Sequence, residues 1–394
     1  MRKPNLEFPV RIALTDKGVR FFLHNRRKIS QVRLSDGALE SGLVMQPVNA
    51  QALQGMICRA YVSTVEVARS EFRTRRNELI DLNKLIVYAL LYERFANHIH
   101  RFLLSSDFVD RWNREHPRHP IDARSRFSEL PVDQFLRKHE TLQGRVAGVI
   151  MSHMEAGLRD QQGNDLDGAE KDTRLNIGRR FLSHLHHSTW FLLLESSGTD
   201  HNDRLLEKIG KLLVKFVRKV DVADCLSFII MEMAAYEESA KLQVTARRLF
   251  RATECLDLED DEIMRSQVRT HLESHKDFLY LTWRIRHGDL PHAVRPALQV
   301  DLINKCYDFH SLKAQMDSRK RIDVRERSLA DFYEKLPESH TDGDFGQYYL
   351  SYLEQACTDL RMPFESRVSH LGPENLTVIS LTLDMKEKAP GAKV

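Results

Sequence analysis

From Asn49 to about Leu336 the apolar residues recur at three- and four-residue spacing, and little interrupts them. Glycine and proline are the residues that end regular elements, and this 394-residue chain holds only 17 and 12 of them. Long helices are therefore expected. NAQALQGMICRAYVSTVEVARSEF and NELIDLNKLIVYALLYERFANHIHRFLL both carry the helical period. A polar break follows at NREHPRHPIDARSRFSELP, with Pro117, Pro120 and Pro131, and a second loop at RDQQGNDLDGAEKDTR. Further helices are expected over RLLEKIGKLLVKFVRKV and VADCLSFIIMEMAAYEESAKL, with Asp221 and Asp224 as the acids that begin the latter.

The two ends read differently. FPVRIAL, VRFFLH and ISQVRLS are short, rich in Val, Ile and Phe, and separated by TDKG and NRRK, a strand–turn–strand pattern. At the other end a helix, QYYLSYLEQACTDLRM, precedes FESRVSHL and LTVISLTLDM, two strands joined around GPEN. The expected fold class is mainly α: a multi-helix body with a small β element formed by an N-terminal hairpin and a C-terminal helix–strand–strand unit. The divisions expected are a β segment at 1–48, a helical body at 49–340 with an internal break at 113–131, the unit at 341–385, and a disordered tail at 386–394. An isolated hairpin is marginal in water, so the terminal strands are expected to share one small sheet or to pack on the helical body. No repeat at a fixed period marks a solenoid.

Hydrophobic residues make up 42% and charged residues 29%, a globular balance, and the formal charge of +3 demands no nucleic-acid partner. Cys58, Cys225, Cys255, Cys306 and Cys357 are widely spaced, which reads as reduced thiols. The N-terminal stretch lacks the apolar run of a signal peptide, and WFLLL and FIIM are far too short to span a membrane. A cytoplasmic location without a membrane span is expected.

FLSHLHHSTWFLLLE offers the first candidate site. Read as one helix, it places His184 and His187 three apart on a flank opposite the apolar stripe. Two imidazoles at that spacing can supply two ligands to a divalent metal, and the following Asp200 and His201 could add to them. His271 and His275 in HLESH share a helical face in the same way, although Glu273 is misplaced for a zinc-protease pattern. The alternative is that these histidines line the polar flanks of core helices. No metal or other cofactor is the preferred expectation.

Lys208, Lys211, Lys215, Arg218 and Lys219 form a second candidate, a basic helix face that could meet phosphate or an acidic protein surface. Glu237 lies near an apolar stripe of Ile230, Met233 and Ala240, and Glu232 on its flank. A carboxylate so placed is a general-base candidate. The segment around Glu232 is similar in outline to the asparagine-box helix of histidine-kinase-type ATPases, and the 346–385 unit to the end of that domain. Tyr236 stands where that family has a metal-binding Asn, and no DxGxG follows Glu232, so the resemblance implies a domain that does not bind ATP in the usual way.

No P-loop, GxGxxG or GxSxG pattern marks the chain for the well-signposted enzyme classes. The expectation is a non-catalytic regulatory, signalling or scaffold protein that binds a protein partner through helical surfaces, with homo-oligomerisation open. The alternatives are a nucleic-acid or phosphate-ligand binder using the basic helix, and a metal-dependent hydrolase or phosphatase built on the histidines.

Overall fold

The computed structural model describes residues 5–122, 129–159, 165–196, 202–251, 256, 258, 261–287, 296–305, 350, 353–371 and 376–385. The chain divides into two units, one of residues 1–89 with 222–394 and the other of residues 90–221. The first is not a small β element. It is built on an eight-stranded antiparallel sheet, so the mainly-α expectation is wrong for this part of the chain.

The strands are β2 (Val10–Leu14), β3 (Ser30–Arg33), β4 (Leu39–Met45), β6 (Val62–Arg69), β7 (Leu279–Arg286), β8 (Ala297–Asn304), β9 (Phe364–Leu371) and β10 (Leu376–Asp384). Their order across the sheet is β3-β4-β2-β6-β7-β8-β10-β9, and β1 (Asn5–Leu6) pairs separately with β5 (Val48–Asn49). Strands from both ends of the chain meet at the β6–β7 pair, with Arg69 opposite Leu279 and Thr64 opposite Arg284. The expected terminal strands therefore do join one sheet, and the closing hairpin β9–β10 is present. What the helical expectation absorbed were β6, VSTVEVAR, and β7 and β8, LYLTWRIR and ALQVDLIN. Leu279, Leu281, Trp283 and Ile285 alternate with Tyr280, Thr282, Arg284 and Arg286, the two-residue period of a strand with unlike faces.

VRFFLH is a helix rather than a strand. Thr15 caps α1 (Asp16–His24) by accepting from the Gly18 N–H at 3.1 Å, and Asp16 sits in the first turn, so TDKG opens a helix. Asn49 caps α2 (Ala50–Cys58) in the same manner, accepting from the Ala52 N–H at 3.0 Å. β4 approaches β2 so closely at Gly42 that a Cβ there would lie 2.2 Å from the Ile12 carbonyl oxygen.

The apolar face of the sheet meets two helices. These are α3 (Arg76–Leu104), whose residues to Ala89 belong to this unit, and α9 (Asn202–Phe250), which enters it at Val222. Trp283 on β7 is fully buried, and its Nε1–H donates to Asn83 Oδ1 on α3 at 2.8 Å. Asn83 Nδ2 donates in turn to Ser227 Oγ on α9 at 2.7 Å. The two helices expected on either side of Asp221 are one 49-residue helix. No glycine or proline separates them, and the two acids act in ion pairs: Asp221 with Arg174 at 3.0 Å, Asp224 with Lys84 at 2.7 Å.

The second unit is helical among its described residues. It comprises the rest of α3, α4 (Asp107–Glu115), α5 (Glu129–Lys138), α6 (Glu140–Gly157), α7 (Gly168–Ser183), α8 (His187–Ser196) and α9 up to Asp221. Phe181 packs between Tyr92 and Phe216, with ring centroids 5.0 and 4.7 Å away. Helices α6 and α7 come together at Gly178, where a Cβ would meet Met154 Sδ at 2.5 Å. FLSHLHHSTWFLLLE is broken, not continuous: α7 ends at Ser183 and α8 starts at His187. Residues 123–128 of the expected 113–131 break, the 341–349 segment, the 386–394 tail and Cys255 and Cys306 lie outside the described residues. Cys58, Cys225 and Cys357 are not in disulfides.

The Asn83 bridge gives a direct test. Asn83→Ala leaves the buried Trp283 indole N–H without its acceptor, and such a loss costs about 1–3 kcal/mol. Urea unfolding of the variant is expected to show a lowered midpoint with an unchanged slope.

Candidate functional site

The face of the sheet away from α3 and α9 carries a polar row between two small apolar clusters, Ala13, Val32 and Leu34 at one end and Ile303, Leu376 and Val378 at the other. Cross-strand partners lie on the same face, and the registers line up Arg11, Glu66, Thr282, Asp301, Ser380 and Arg367 as a row across β2, β6, β7, β8, β10 and β9. Its middle is buried, with Glu66 at 0% and Asp301 at 3% exposure. Glu66 accepts from Arg11 Nη1 at 3.0 Å, from the Ser35 N–H at 2.9 Å and from Thr282 Oγ1 at 3.1 Å. Asp301 accepts from Arg284 Nε at 3.0 Å, from Gln299 Nε2 at 2.8 Å and from Ser380 Oγ at 2.6 Å. Arg284 also reaches Asp36 at 2.8 Å. Burial pushes the Asp36 carboxyl up, but the Ala38 N–H and Arg284 outweigh it and hold the group below the ordinary carboxylate value. Each of these acids is satisfied by donors of its own chain, the condition under which buried charge is tolerated. No pattern of spacing in the sequence announces this row, because its members come from six strands.

A second ionic seam runs along the sheet-facing part of α9. Glu232, a general-base candidate, pairs with Arg76 at 2.6 Å. Glu237, the other candidate, is 2% exposed and accepts from Asn304 Nδ2 on β8 at 2.7 Å. Burial, opposed by Asn304 and Lys241, raises its carboxyl above the ordinary value. Glu238, absent from the sequence candidates, accepts from the backbone N–H groups of Phe72 and Arg73 at 2.5 and 3.1 Å and from Arg265 at 3.2 Å. It therefore terminates the N-terminal end of the short 3-10 turn before α3. Burial also raises Glu238, with the nearby Glu71 carboxylate adding to it. Lys241 Nζ holds Asp277 at 2.9 Å and the Phe278 carbonyl at 3.2 Å. These contacts tie α9 to β8, to the turn before α3, and to α10 (Glu262–Ser274) with the turn after it, which is a structural use of the acids.

Two of the singled-out histidines, His184 and His275, close helices, and His116 and His139, which were not singled out, do the same. His184 ends α7 and donates from Nδ1 to the Arg180 carbonyl at 2.7 Å, and His275 ends α10 and donates to the His271 carbonyl at 2.8 Å. His116 does the same to Trp112 at the end of α4, and His139 to Phe135 at the end of α5. Each satisfies a last-turn carbonyl four residues back, where a helix has no internal donor. His116 and His139 stack on the aromatic ring at that position, 4.1 and 4.2 Å between centroids, and the His271 ring lies 4.2 Å from His275. The i, i+4 spacing in HLESH is the signature of this cap. Asp200 and His201 lie outside the described residues. Among the described residues, no three of His, Cys, Asp and Glu stand together as a metal site.

His187 is different. It is the first residue of α8, its side chain is 61% exposed, and its Nδ1 lies 2.5 Å from Asp133 Oδ1 on α5. Its neighbour His186 caps α8: the ring Nδ1 accepts from the Ser188 N–H at 3.3 Å and bonds Ser188 Oγ at 2.7 Å. His100 Nδ1 bonds Thr189 Oγ1 at 3.1 Å, and burial, then the charge of His186, lowers the His100 imidazole.

The basic helix face is sorted by the fold. Lys208, Lys211, Lys215 and Arg218 are outward on α9, whereas Lys219 is 2% exposed and lies over the Phe95 ring at 5.9 Å. Lys219 thus leaves the face the sequence assigned it to, because the residue after Arg218 has turned inward with Val217 and Val220. Lys211 pairs with Glu207 at 2.5 Å, Arg218 donates to the Arg159 carbonyl at 3.2 Å, and Lys208 sits 5.0 Å from the Phe102 ring centre.

The molecule is thus of a mixed α and β class, with one unit on an eight-stranded antiparallel sheet and one of helices. The chain belongs to the family of unknown function DUF8084, whose model matches residues 1–385. It is 25% identical over 386 residues to an "Uncharacterized protein" of Treponema pallidum (strain Nichols), covering 96% of this chain and 97% of the relative. No solved structure matches it. Neither comparison supports the regulatory and signalling parts of the sequence expectation, and the eight-stranded sheet overturns the mainly α class. No helix among the described residues is long and apolar enough to cross a membrane.

Two measurements test these assignments. Glu237 is raised above its ordinary 4.5, so the native state holds its proton more tightly than the unfolded chain. The stability this brings is complete below 4.5 and is lost as pH rises through the raised native value. Glu237→Gln keeps an acceptor for Asn304 and removes the ionisation. Chemical denaturation at pH 5 and pH 8 is expected to show a smaller loss of stability on the alkaline side than the wild type. His139→Ala and His275→Ala are each expected to lower stability by about 0.3–1 kcal/mol, read as a fall in melting temperature with helix content retained.

Proposed function

We propose that the chain is a non-catalytic binding protein, and that it meets an acidic protein surface along the outward edge of α9. The observation that carries this is the placement of Lys208, Lys211, Lys215 and Arg218 at three- and four-residue intervals, above the buried Ile209, Leu213, Phe216 and Val217. An edge of that kind spans about 15 Å at 1.5 Å per residue, enough to face several carboxylates on a partner. Two further points support the reading. The general-base candidates Glu232 and Glu237 already serve to anchor α9, and His184 and His275 already close helices.

Electrostatic recognition of this kind steers association and weakens as salt screens it. The test is formaldehyde crosslinking in cell extract at graded salt, comparing the wild type with a Lys211→Glu, Lys215→Glu double variant of unchanged circular dichroism. An acidic protein adduct is expected, reduced at least tenfold in the variant and falling in the wild type as salt is raised. A nucleic-acid adduct with steep salt dependence would replace this reading by phosphate-backbone binding on the same edge. Equal protein capture by wild type and variant would remove the edge as the site.

A further inference from the structure

We infer that His187 is a phosphoryl-accepting histidine, its Nε2 taking a phosphoryl group from an N–P donor of the phosphoramidate class while Asp133 holds the other ring nitrogen. The carboxylate of Asp133 can only accept at the 2.5 Å contact, so Nδ1 carries a proton, and it is the neutral form of that ring that presents a lone pair at Nε2. A carboxylate behind an imidazole fixes its tautomer and orientation and strengthens the far nitrogen as a nucleophile. With 61% of the His187 side chain exposed, the ring can be reached by a small donor from solvent.

The other helix-ending histidines lack this arrangement. His116, His139, His184 and His275 direct Nδ1 at neutral backbone carbonyls, and His186 has its Nδ1 on Ser188. The surroundings of His187 also suit the product. It stands at the first position of the ten-residue α8, where the helix dipole favours negative charge.

The step balances without a further reactant. The Nε2 lone pair attacks phosphorus, the P–N bond of the donor breaks, and its electron pair leaves with the nitrogen as ammonia. That nitrogen needs no proton from the protein, because in the zwitterion of phosphoramidate it already carries all of the hydrogens that ammonia keeps. The ring becomes an N-phosphoryl imidazolium whose charge Asp133 balances across Nδ1–H.

The experiment incubates the full chain with phosphoramidate and maps acid-labile phosphoryl groups by mass spectrometry over time. The expected result is one group, on His187, formed at least tenfold faster than on His116, His139, His184 or His275 of the same molecules. Asp133→Asn is expected to slow it at least tenfold, and His187→Ala to abolish it. The comparison among histidines within the wild-type protein needs no variant and stands if Asp133→Asn does not fold. Labelling of the cap histidines at the rate of His187, an Asp133→Asn variant that folds and reacts at the wild-type rate, or no labelling at all would each overturn the assignment.

Discussion

The first unit depends on one pairing. β6 and β7 lie side by side in the middle of the sheet, yet Glu66 and Thr282, which are joined across it, are 216 positions apart in the chain. Until they meet, the N-terminal strands β2, β3, β4 and β6 form one half-sheet and β7, β8, β9 and β10 another, each with an open edge. Closing so long a loop costs entropy that local contacts cannot return, so the central pair must be secured by more than ladder hydrogen bonds. On one face Trp283 reaches Asn83, and through it Ser227. On the other, Glu66 and Thr282 are hydrogen-bonded to one another.

That polar row also settles register. A one-residue slip of β7 would turn Trp283 toward the carboxylates and Thr282 and Arg284 toward the apolar helices, since the side-chain period of a strand is two. Buried ion pairs contribute little net stability against an apolar alternative, but breaking one leaves an uncompensated charge. Glu66 and Asp301 therefore act against wrong pairings more than they strengthen the right one. The seam on α9 works in the same way. Glu237, Glu238 and Lys241 take partners on β8, the turn before α3, α10 and the turn after it, so rotation of the helix would strand three charges together.

In the helical unit the same economy of polar groups appears at helix ends. Histidine is small enough to fold back on its own last turn and flat enough to lie on an aromatic ring there, which accounts for Trp112 with His116 and Phe135 with His139. Beside those capping rings, the described residues of this unit also present outward the cationic edge of α9 and the His187–Asp133 pair.

Much was legible in the residues alone. The helical period of α3 and α9, the closing β9–β10 hairpin, the burial of Glu237 and the outward placement of Lys208, Lys211, Lys215 and Arg218 all follow from spacing, because they are set by neighbours within a few positions. Even LYLTWRIR carried its strand period openly, and was hidden only by the helical pattern around it. What spacing could not decide was which distant residues would meet. Lys219 went inside because a helix has one side against its neighbours and that side is chosen by packing. The histidines became caps because the helices ended where they did. Glu66 and Asp301 came to share one row, and Asp133 to meet His187, only when separate elements were laid side by side. Local sequence determined most of the elements and their faces; the tertiary structure alone determined their partners, because hydrogen bonds and ion pairs act over a few ångströms of space and not along the chain.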